Sequence, residues 1–394
     1  MNTALLDGIL QRMVDDGALP MASAIVLRHG EEIYRGYTGL ADLEQKKPVQ
    51  DDTIYRLYSM TKVITATAMM QLFEQGKFKM TDPVQEYLPG FINQKFITYN
   101  EKTGHVVYKP VTRPNTIRNL FTMTSGIPYD HPGRTLSADM MHEIYEIIDH
   151  SPETDHPVTT IEAANMIGTN PLEFNPGDGY QYGLSMDVIG ALVEILSGQD
   201  LRDYVKEHIL DPLGMKDTDY YVPVEKQDRF AHLYTRVEKG KWISGETFKD
   251  ARQLKLPVYK EGGDGIVSTT RDYAVFGQML LQRGTYGKER ILGSRTVDFM
   301  RANHLTPAQN AMMEDNMALL QGYGYGLGVR TCINPGRAKH LTSVGEWGWF
   351  GKGSSWFCVD PKEDMVIVFN TQSLGDDSER DRFINAVYAQ LEDN

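Results

Sequence analysis

The chain has 394 residues, of which 41% are hydrophobic and 24% charged, and its formal net charge is −13. This length is enough for a large core in two domains or lobes, and the acidic balance argues against nucleic acid or an anionic membrane as the main partner. The two cysteines imply no disulfide framework, and the ten histidines lack metal-ligand spacing, so we expect neither a metal nor a cofactor.

The N-terminal part predicts a helix followed by two strands. Apolar residues recur at helical spacing over residues 5–14, which is typical of an amphipathic helix. Residues 22–27 and 32–37 flank a turn at His29-Gly30 and predict a β-hairpin. The first residues lack a basic region followed by an apolar core, and no apolar run has membrane-spanning length, so we expect a cytoplasmic protein without a membrane partner.

A short strand and a buried helix are predicted next. Residues 53–58 are rich in β-branched and aromatic side chains, and residues 63–73 form a mostly apolar run that ends before Gly76. Ser59 would then lie at the first turn of this helix. Free backbone N–H groups and the positive end of the helix dipole stabilise an alkoxide or oxyanion at such a position.

The middle of the chain, residues 80–250, is predicted to be mainly helical. Helical patterns cover residues 116–122, 160–166, 186–196 and 201–209, separated by turns rich in proline and glycine. The polar, irregular segments 91–115 and 130–158 are predicted to be loops that either wall a cleft or form mobile surface.

The C-terminal part returns to strands. Residues 356–359 and 365–370 predict a strand pair, and a last helix carries Phe383, Ile384, Val387 and Leu391 on one face. Because strands come from both ends of the chain, we predict an α+β fold with one antiparallel sheet flanked by the N- and C-terminal helices. Residues 1–79 and 251–394 would form the sheet domain and residues 80–250 the inserted helical domain, with the active site in the cleft between them.

Ser59-Met60-Thr61-Lys62 is the segment that most directly suggests chemistry. Of the serines in the chain, only Ser59 has a lysine three residues later, and residues three apart share a helix face. Lys62 could serve as general base for the Ser59 hydroxyl if burial and neighbouring charge lowered its pKa. The alternative is a serine N-cap followed by a surface lysine, which the apolar helix around Lys62 disfavours.

A second motif and a set of short segments carry a family resemblance. Tyr182 precedes an apolar helix and follows Asn175-Pro176-Gly177. With these segments the chain resembles, over nearly its whole length, the family VIII carboxylesterases and related class C β-lactamase-like proteins of the penicillin-binding-protein superfamily. The other segments that share the family order are Asp82-Pro83-Val84, Tyr87-Leu88-Pro89, Thr116-Ile117-Arg118 with Thr124-Ser125-Gly126, Asp211-Pro212-Leu213-Gly214-Met215, Gly262-Gly263-Asp264-Gly265-Ile266-Val267-Ser268-Thr269 and Asp360-Pro361.

The resemblance implies that Tyr182 completes a catalytic group with Ser59 and Lys62. A phenol beside an ammonium ionises more readily and can then accept the serine proton or return it to the leaving group. Tyr180 is the competing choice, and the spacing to the following helix favours Tyr182. The alternative for either residue is an ordinary core tyrosine with a bonded hydroxyl.

A third segment, residues 346–353, corresponds to the strand that carries Lys-Thr-Gly in β-lactamases. Trp347-Gly348-Trp349 matches the Trp-Gly-Gly of the esterases in two of three places. The resemblance implies an oxyanion hole formed by the N–H groups of Ser59 and Trp349. The substrate-binding residues that it implies are Tyr58, Leu184, Glu346, Trp347, Gly348 and Phe350.

Two departures from the β-lactamase pattern suggest an ester substrate. Leu184 stands where those enzymes carry the asparagine that binds the substrate amide, and Glu346 stands at the lysine position, where it should repel an anionic β-lactam. The Gly-x-Ser-x-Gly signature of α/β-hydrolases is absent.

The sequence thus predicts a serine hydrolase that cleaves a small-molecule carboxylic ester through a Ser59 acyl-enzyme, with Lys62 and Tyr182 as general base and acid. Acyl transfer to an alcohol, hydrolysis of β-lactams or D-amino peptides, and a non-catalytic binding protein on the same fold are the alternatives. The sequence does not indicate the natural substrate or the oligomeric state.

Overall fold

One antiparallel sheet joins the two ends of the chain. In the computed structural model, which describes residues 1–246, 252–375 and 378–391, this sheet has eight strands. The strand from the N-terminal hairpin, Met21–Arg28, pairs with Met365–Asn370, so that Ile25 lies opposite Val368. In spatial order the strands are Tyr323–Tyr325, Arg330–Cys332, Trp347–Phe350, Trp356–Asp360, Met365–Asn370, Met21–Arg28, Glu31–Asp42 and Lys47–Pro48.

Smaller strand pairs lie outside this sheet. Those among the described residues are Ile54–Arg56 with Val267–Thr269, Lys95–Tyr99 with Val106–Pro110, Thr285–Tyr286 with Glu289–Arg290, and Tyr234–Glu238 with Lys241–Ser244 and Ser373–Leu374.

Half of the α-helices in the described residues belong to the middle of the chain. Within the described residues they are Thr3–Asp15, Thr61–Glu74, Ile117–Phe121, Leu136–His150, Thr160–Thr169, Ser185–Ser197, Leu201–Val205, Asp211–Leu213, Thr270–Leu281, Ser294–Arg301, Pro307–Asn316 and Glu379–Tyr388. None of these helices combines the length and the apolar character that crossing a membrane requires.

The two faces of the sheet are covered by different elements. Leu10 from the first helix and Phe383 from the last pack with Phe369 on one face. Phe276 from the Thr270–Leu281 helix packs with Phe357 on the other face, within the large core that also holds the Thr61–Glu74 helix. The predicted α+β arrangement, with terminal helices flanking an antiparallel sheet and a helical insertion between its two halves, is confirmed.

The prediction of irregular loops in the middle region was wrong in two places. Segment 91–115 contains the hairpin Lys95–Tyr99 and Val106–Pro110, and segment 130–158 contains the helix Leu136–His150. That helix buries Met141, Tyr145 and Ile148, which lie at helical spacing among charged residues that mask the pattern. The predicted domain boundary at residues 250 and 251 lies outside the described residues.

A buried ion pair crosses two strands of the sheet. The Arg330 guanidinium donates a hydrogen bond of 2.6 Å to the Glu346 carboxylate, and both side chains are at most 1% exposed. The guanidinium carbon lies 3.6 Å from the centre of a Trp356 ring, in cation–π contact. Burial raises the pKa of Glu346, and the charge of Arg330 opposes that shift without cancelling it.

We expect Glu346→Ala to destabilise the fold by about 3 to 5 kcal/mol, because it leaves the Arg330 charge buried without a partner. The double variant with Arg330→Met and Glu346→Leu should recover most of this loss, since no charge then remains buried. The free energy of unfolding in urea measures both effects. Asp298→Ala, which removes half-exposed ion pairs with Arg283 and Arg301, is the control and should cost about 1 kcal/mol or less. Equal costs for Glu346→Ala and Asp298→Ala would contradict this account.

Candidate active site

The predicted nucleophile lies in a strained turn. The strand Ile54–Arg56 leads into a 3₁₀ turn, Tyr58–Met60, which the Thr61–Glu74 helix continues. Tyr58 has φ of +46°, a left-handed conformation that is costly for an aromatic residue and that clusters at functional sites. Ser59 therefore lies one turn ahead of the α-helix proper, and it is 8% exposed.

Lys62 contacts Ser59 as the spacing predicts. Its Nζ donates hydrogen bonds to the Ser59 Oγ at 2.9 Å and to the Gly263 carbonyl oxygen at 2.8 Å. The side chain is fully buried. The alternative of a surface lysine is excluded.

The charge state of Lys62 differs from the expectation. Burial lowers the pKa of Lys62, but the interactions with Tyr182, Asp264 and Asp187 raise it by more, so the net shift is upward. A raised pKa favours the ammonium form over the neutral amine that a lysine base requires. As an ammonium, Lys62 is suited to stabilise negative charge on Ser59 and to donate a proton.

Two carboxylates that the sequence analysis did not select lie beside this pair. Asp264 accepts a hydrogen bond of 2.9 Å from the Ser59 hydroxyl, and its Oδ1 is 3.5 Å from the Lys62 Nζ. Asp187, which is 3% exposed, accepts bonds from the Gly263 N–H at 3.3 Å and from the Tyr259 hydroxyl at 3.1 Å. Burial raises the pKa of Asp187 to about 6, against the opposing effect of Lys62.

The sequence carried a weak signal for both carboxylates. Asp187 is an acid within the first turn of the otherwise apolar helix Ser185–Ser197. Asp264 interrupts a run of glycines, Gly262-Gly263-Asp264-Gly265. An acid in the first turn of a helix also stabilises the helix dipole, so the signal at Asp187 is weak, and only the fold brings both carboxylates beside Lys62.

Tyr182, rather than Tyr180, adjoins the lysine. The centre of the Tyr182 ring lies 5.1 Å from the Lys62 Nζ, and its hydroxyl accepts a hydrogen bond of 2.9 Å from the Trp349 indole. Tyr180 is buried edge-on against Tyr325. The ring of Tyr129, another residue that the sequence analysis missed, is 5.7 Å from the Lys62 Nζ.

The strand Trp347–Phe350 does not support the predicted oxyanion role of Trp349. The Gly351 N–H bonds to the Ser355 carbonyl on one side of this strand, and the Glu346 carbonyl accepts from Cys332 on the other. Because successive N–H groups of a strand alternate in direction, the Trp349 N–H is directed toward the strand Trp356–Asp360. The Phe350 N–H has the opposite direction, beyond the last paired residue of the neighbouring strand, which makes it the better candidate donor.

Glu346 does not present a repulsive charge to the cleft, and that prediction was wrong. Its carboxylate is buried against Arg330, whose charge compensates it. The alternation that puts Trp349 beside Tyr182 puts Glu346 on the opposite face of the sheet. Glu346, which replaces the lysine of the β-lactamases, therefore has a structural role. The negative charge beside the nucleophile comes from Asp264.

The other predicted binding residues vary in exposure. Trp347 and Leu184 are buried in the core, and Phe350 is partly exposed. Gly348 has φ of +152°, and a Cβ there would lie 2.2 Å from the Phe357 carbonyl oxygen, so that only glycine fits. Roles of these residues in binding remain predictions.

Among the described residues, no group of three or more histidine, cysteine or acidic side chains is arranged to hold a metal ion.

Comparisons with known proteins cover nearly the whole chain. The family model described as "Beta-lactamase" matches residues 6–390. Esterase EstB of Burkholderia gladioli is 29% identical, with 94% of this chain and 90% of the relative covered. Protein Rv1367c of Mycobacterium tuberculosis (strain ATCC 25618 / H37Rv) is 28% identical, with 93% and 89% covered. The solved structure of "EstCE1, a hydrolase with promiscuous acyltransferase activity" superposes with a TM-score of 0.79 at 24% identity and covers 97% of each chain. That structure has the same fold.

Asp187 should make stability depend on pH. Its pKa rises from 3.8 in the unfolded chain to about 6 in the folded one, so the unfolded state loses this proton first as pH increases. Deprotonation therefore weakens the fold across this window, by about 3 kcal/mol at about 1.4 kcal/mol per pH unit. Asp187→Asn cannot ionise, and its stability relative to wild type should rise by that amount between pH 4 and pH 7.

Urea unfolding at several pH values measures this difference. The exposed Asp228, whose side chain is 76% accessible, supplies the control, and Asp228→Asn should keep the wild-type pH dependence. A constant difference between wild type and Asp187→Asn across the window would disprove the assignment.

Proposed function

We propose that this chain, which belongs to the beta-lactamase family, is a serine hydrolase that cleaves carboxylic esters through an acyl-enzyme on Ser59. The observation that carries the proposal is the Ser59 hydroxyl itself. It lies within hydrogen-bond distance of a buried ammonium and of a carboxylate, at 2.9 Å from each. A hydroxyl in this setting is both activated and oriented for attack.

The reaction needs two proton transfers and one anion site. As the Ser59 Oγ bonds to the ester carbonyl carbon, the hydroxyl proton leaves and the carbonyl oxygen becomes an oxyanion. The N–H groups of Ser59 and Phe350 are the proposed donors to that oxyanion. Lys62 and Tyr182 handle the protons, and the leaving alkoxide departs as an alcohol. Water then attacks the acyl-enzyme and releases the acid.

Three considerations favour an ester over a β-lactam. The relative EstB is named an esterase. The residue at the position of the β-lactamase lysine is Glu346, which is paired with Arg330, so it offers no cation to a substrate carboxylate. The Asp264 carboxylate, 34% exposed beside the nucleophile, repels an anionic substrate. D-amino peptides remain a further candidate substrate.

Acyl transfer is the second candidate function. The solved structure EstCE1 is titled a hydrolase with promiscuous acyltransferase activity. Transfer and hydrolysis share the acyl-enzyme and differ in whether an alcohol or water attacks it. A non-catalytic binding protein on this fold is the rival from another class, and it would not react covalently at Ser59.

Ser59→Ala should abolish turnover of a neutral short-chain ester without unfolding the protein. A fluorophosphonate should label the wild type at Ser59 and leave the variant unlabelled, because no other serine contacts a buried lysine in the described contacts. The assay measures ester and nitrocefin hydrolysis, and alcoholysis when methanol is added. Nitrocefin turnover at the rate of the best ester would refute the esterase assignment, and absence of labelling would favour a binding protein.

Lys62→Ala and Tyr182→Phe should each lower kcat by about a hundredfold or more, the scale of losing positioned proton transfer. Because the residues act on one proton path, the double variant should lose far less than the product of the single losses. Steady-state kinetics on the same ester measure this. Tyr180→Phe is the matched control and should stay within about threefold of wild type, since Tyr180 packs against Tyr325. A large loss of kcat in Tyr180→Phe together with a small loss in Tyr182→Phe would assign the catalytic role to Tyr180 instead.

A further inference from the structure

We propose that Asp264 is a catalytic residue that accepts the Ser59 proton, with Lys62 acting as an ammonium. This inference rests on the proposed function and changes its proton path. The Ser59 hydroxyl donates to the Asp264 Oδ1 at 2.9 Å, while the Lys62 Nζ donates to the Ser59 Oγ at 2.9 Å. The serine proton therefore faces the carboxylate and not the lysine.

The hydrogen bonds of Lys62 support this direction. The Gly263 carbonyl oxygen, 2.8 Å from the Nζ, can only accept, so a lysine hydrogen is committed to it. A second hydrogen is donated to the Ser59 Oγ. As an ammonium, Lys62 has three hydrogens and no lone pair, so it cannot accept the serine proton. The Tyr182 hydroxyl oxygen accepts a hydrogen bond from the Trp349 indole, and the described hydrogen bonds include none between Tyr182 and the Ser59 hydroxyl.

The loop that carries Asp264 is fixed to the nucleophile helix on both sides of this residue. The Thr65 hydroxyl donates to the Gly262 carbonyl at 2.7 Å, and the Ile266 N–H donates to the Thr61 hydroxyl at 3.1 Å. Gly263 adds a close fit, since a Cβ there would lie 2.7 Å from the Asp187 Oδ2 and 3.2 Å from the Lys62 Nζ. Asp264 is thus positioned by the backbone, as a catalytic group requires.

Each proton that moves in the proposed reaction has a donor and an acceptor. During attack the Ser59 O–H bond breaks, the Oγ–carbon bond forms, and the proton passes to the Asp264 carboxylate. When the carbon–oxygen bond of the ester breaks, the alkoxide takes a proton from Lys62, which regains one from Asp264 at 3.5 Å. In deacylation the attacking water gives its proton to Asp264, and the departing Ser59 oxygen receives it back.

The test compares the pH profiles of wild type and Asp264→Asn. With Asp264 as the base, neither Lys62 nor Tyr182 has to lose a proton before the attack, so the wild-type kcat should stay nearly constant from about pH 7 to about pH 9. In Asp264→Asn the base must be Lys62 or Tyr182 after proton loss. Its kcat should be lower by about a hundredfold or more at pH 7, with KM nearly unchanged, and should rise by up to about tenfold per pH unit.

Other titratable groups surround this carboxylate, and they are the same residues in wild type and in Asp264→Asn. They are Lys62 from the nucleophile helix, Asp187 from the Ser185–Ser197 helix, Tyr129 and Tyr182 from the facing segments, and Glu261 from the same loop. Glu261→Gln is the matched control. Glu261 pairs with Arg252 at 3.4 Å, so this variant should keep the flat profile.

A second readout separates this inference from the proposed function. The rate of fluorophosphonate labelling at Ser59 also requires loss of the serine proton, and it should fall in Asp264→Asn even if no tested ester is hydrolysed. Asp264→Glu should recover part of both rates, which a purely structural role would not predict. A flat profile in Asp264→Asn, or labelling within about threefold of wild type, would overturn the inference. A wild type that is never labelled would overturn the proposed function and this inference with it.

Discussion

The buried ammonium of Lys62 is the interaction on which the site depends. A charge with no exposed surface is tolerated only when its hydrogen bonds and opposite charges are supplied by the fold. Ser59, Gly263 and Asp264 supply them directly, and Asp187 adds a second negative charge through the Gly263 N–H. The nucleophile and the glycine-rich loop therefore both contact this one charge.

The architecture provides these partners from distant parts of the chain. The 3₁₀ turn Tyr58–Met60 carries Ser59, and the Thr61–Glu74 helix that continues it carries Lys62. The start of the Ser185–Ser197 helix brings Asp187, and the loop before the strand Val267–Thr269 brings Asp264. That strand pairs with Ile54–Arg56, immediately before the nucleophile turn, so Asp264 and Ser59 are neighbours through backbone pairing. The strained Tyr58 follows the same strand pair.

Two acidic residues on the same fold serve opposite purposes. Glu346 is fully paired with Arg330 inside the sheet, so its charge has little effect outside it. Asp264 is partly exposed, and among the described contacts its one nearby cation is Lys62, which also bonds to the nucleophile. Its charge can therefore act on the proposed reaction and on an approaching substrate. The effect of an acidic residue on specificity thus depends more on the cation beside it than on its position in a sequence motif.

The sequence by itself determined the pieces whose signals are local. The hairpin at His29-Gly30, the apolar helix after Ser59 and the three-residue step to Lys62 follow from side-chain periodicity and helix geometry, and the structure contains all of them. The helix Leu136–His150 was missed because charged residues obscure its narrow apolar stripe.

Only the tertiary structure decided the charge of Lys62, the burial of Glu346, the direction of the Trp349 N–H and the approach of Asp264 to Ser59. These depend on contacts between residues as much as 205 positions apart and on which strand lies alongside which. A pKa or a hydrogen-bond direction is a property of the surroundings that folding creates, and one-dimensional spacing does not contain it.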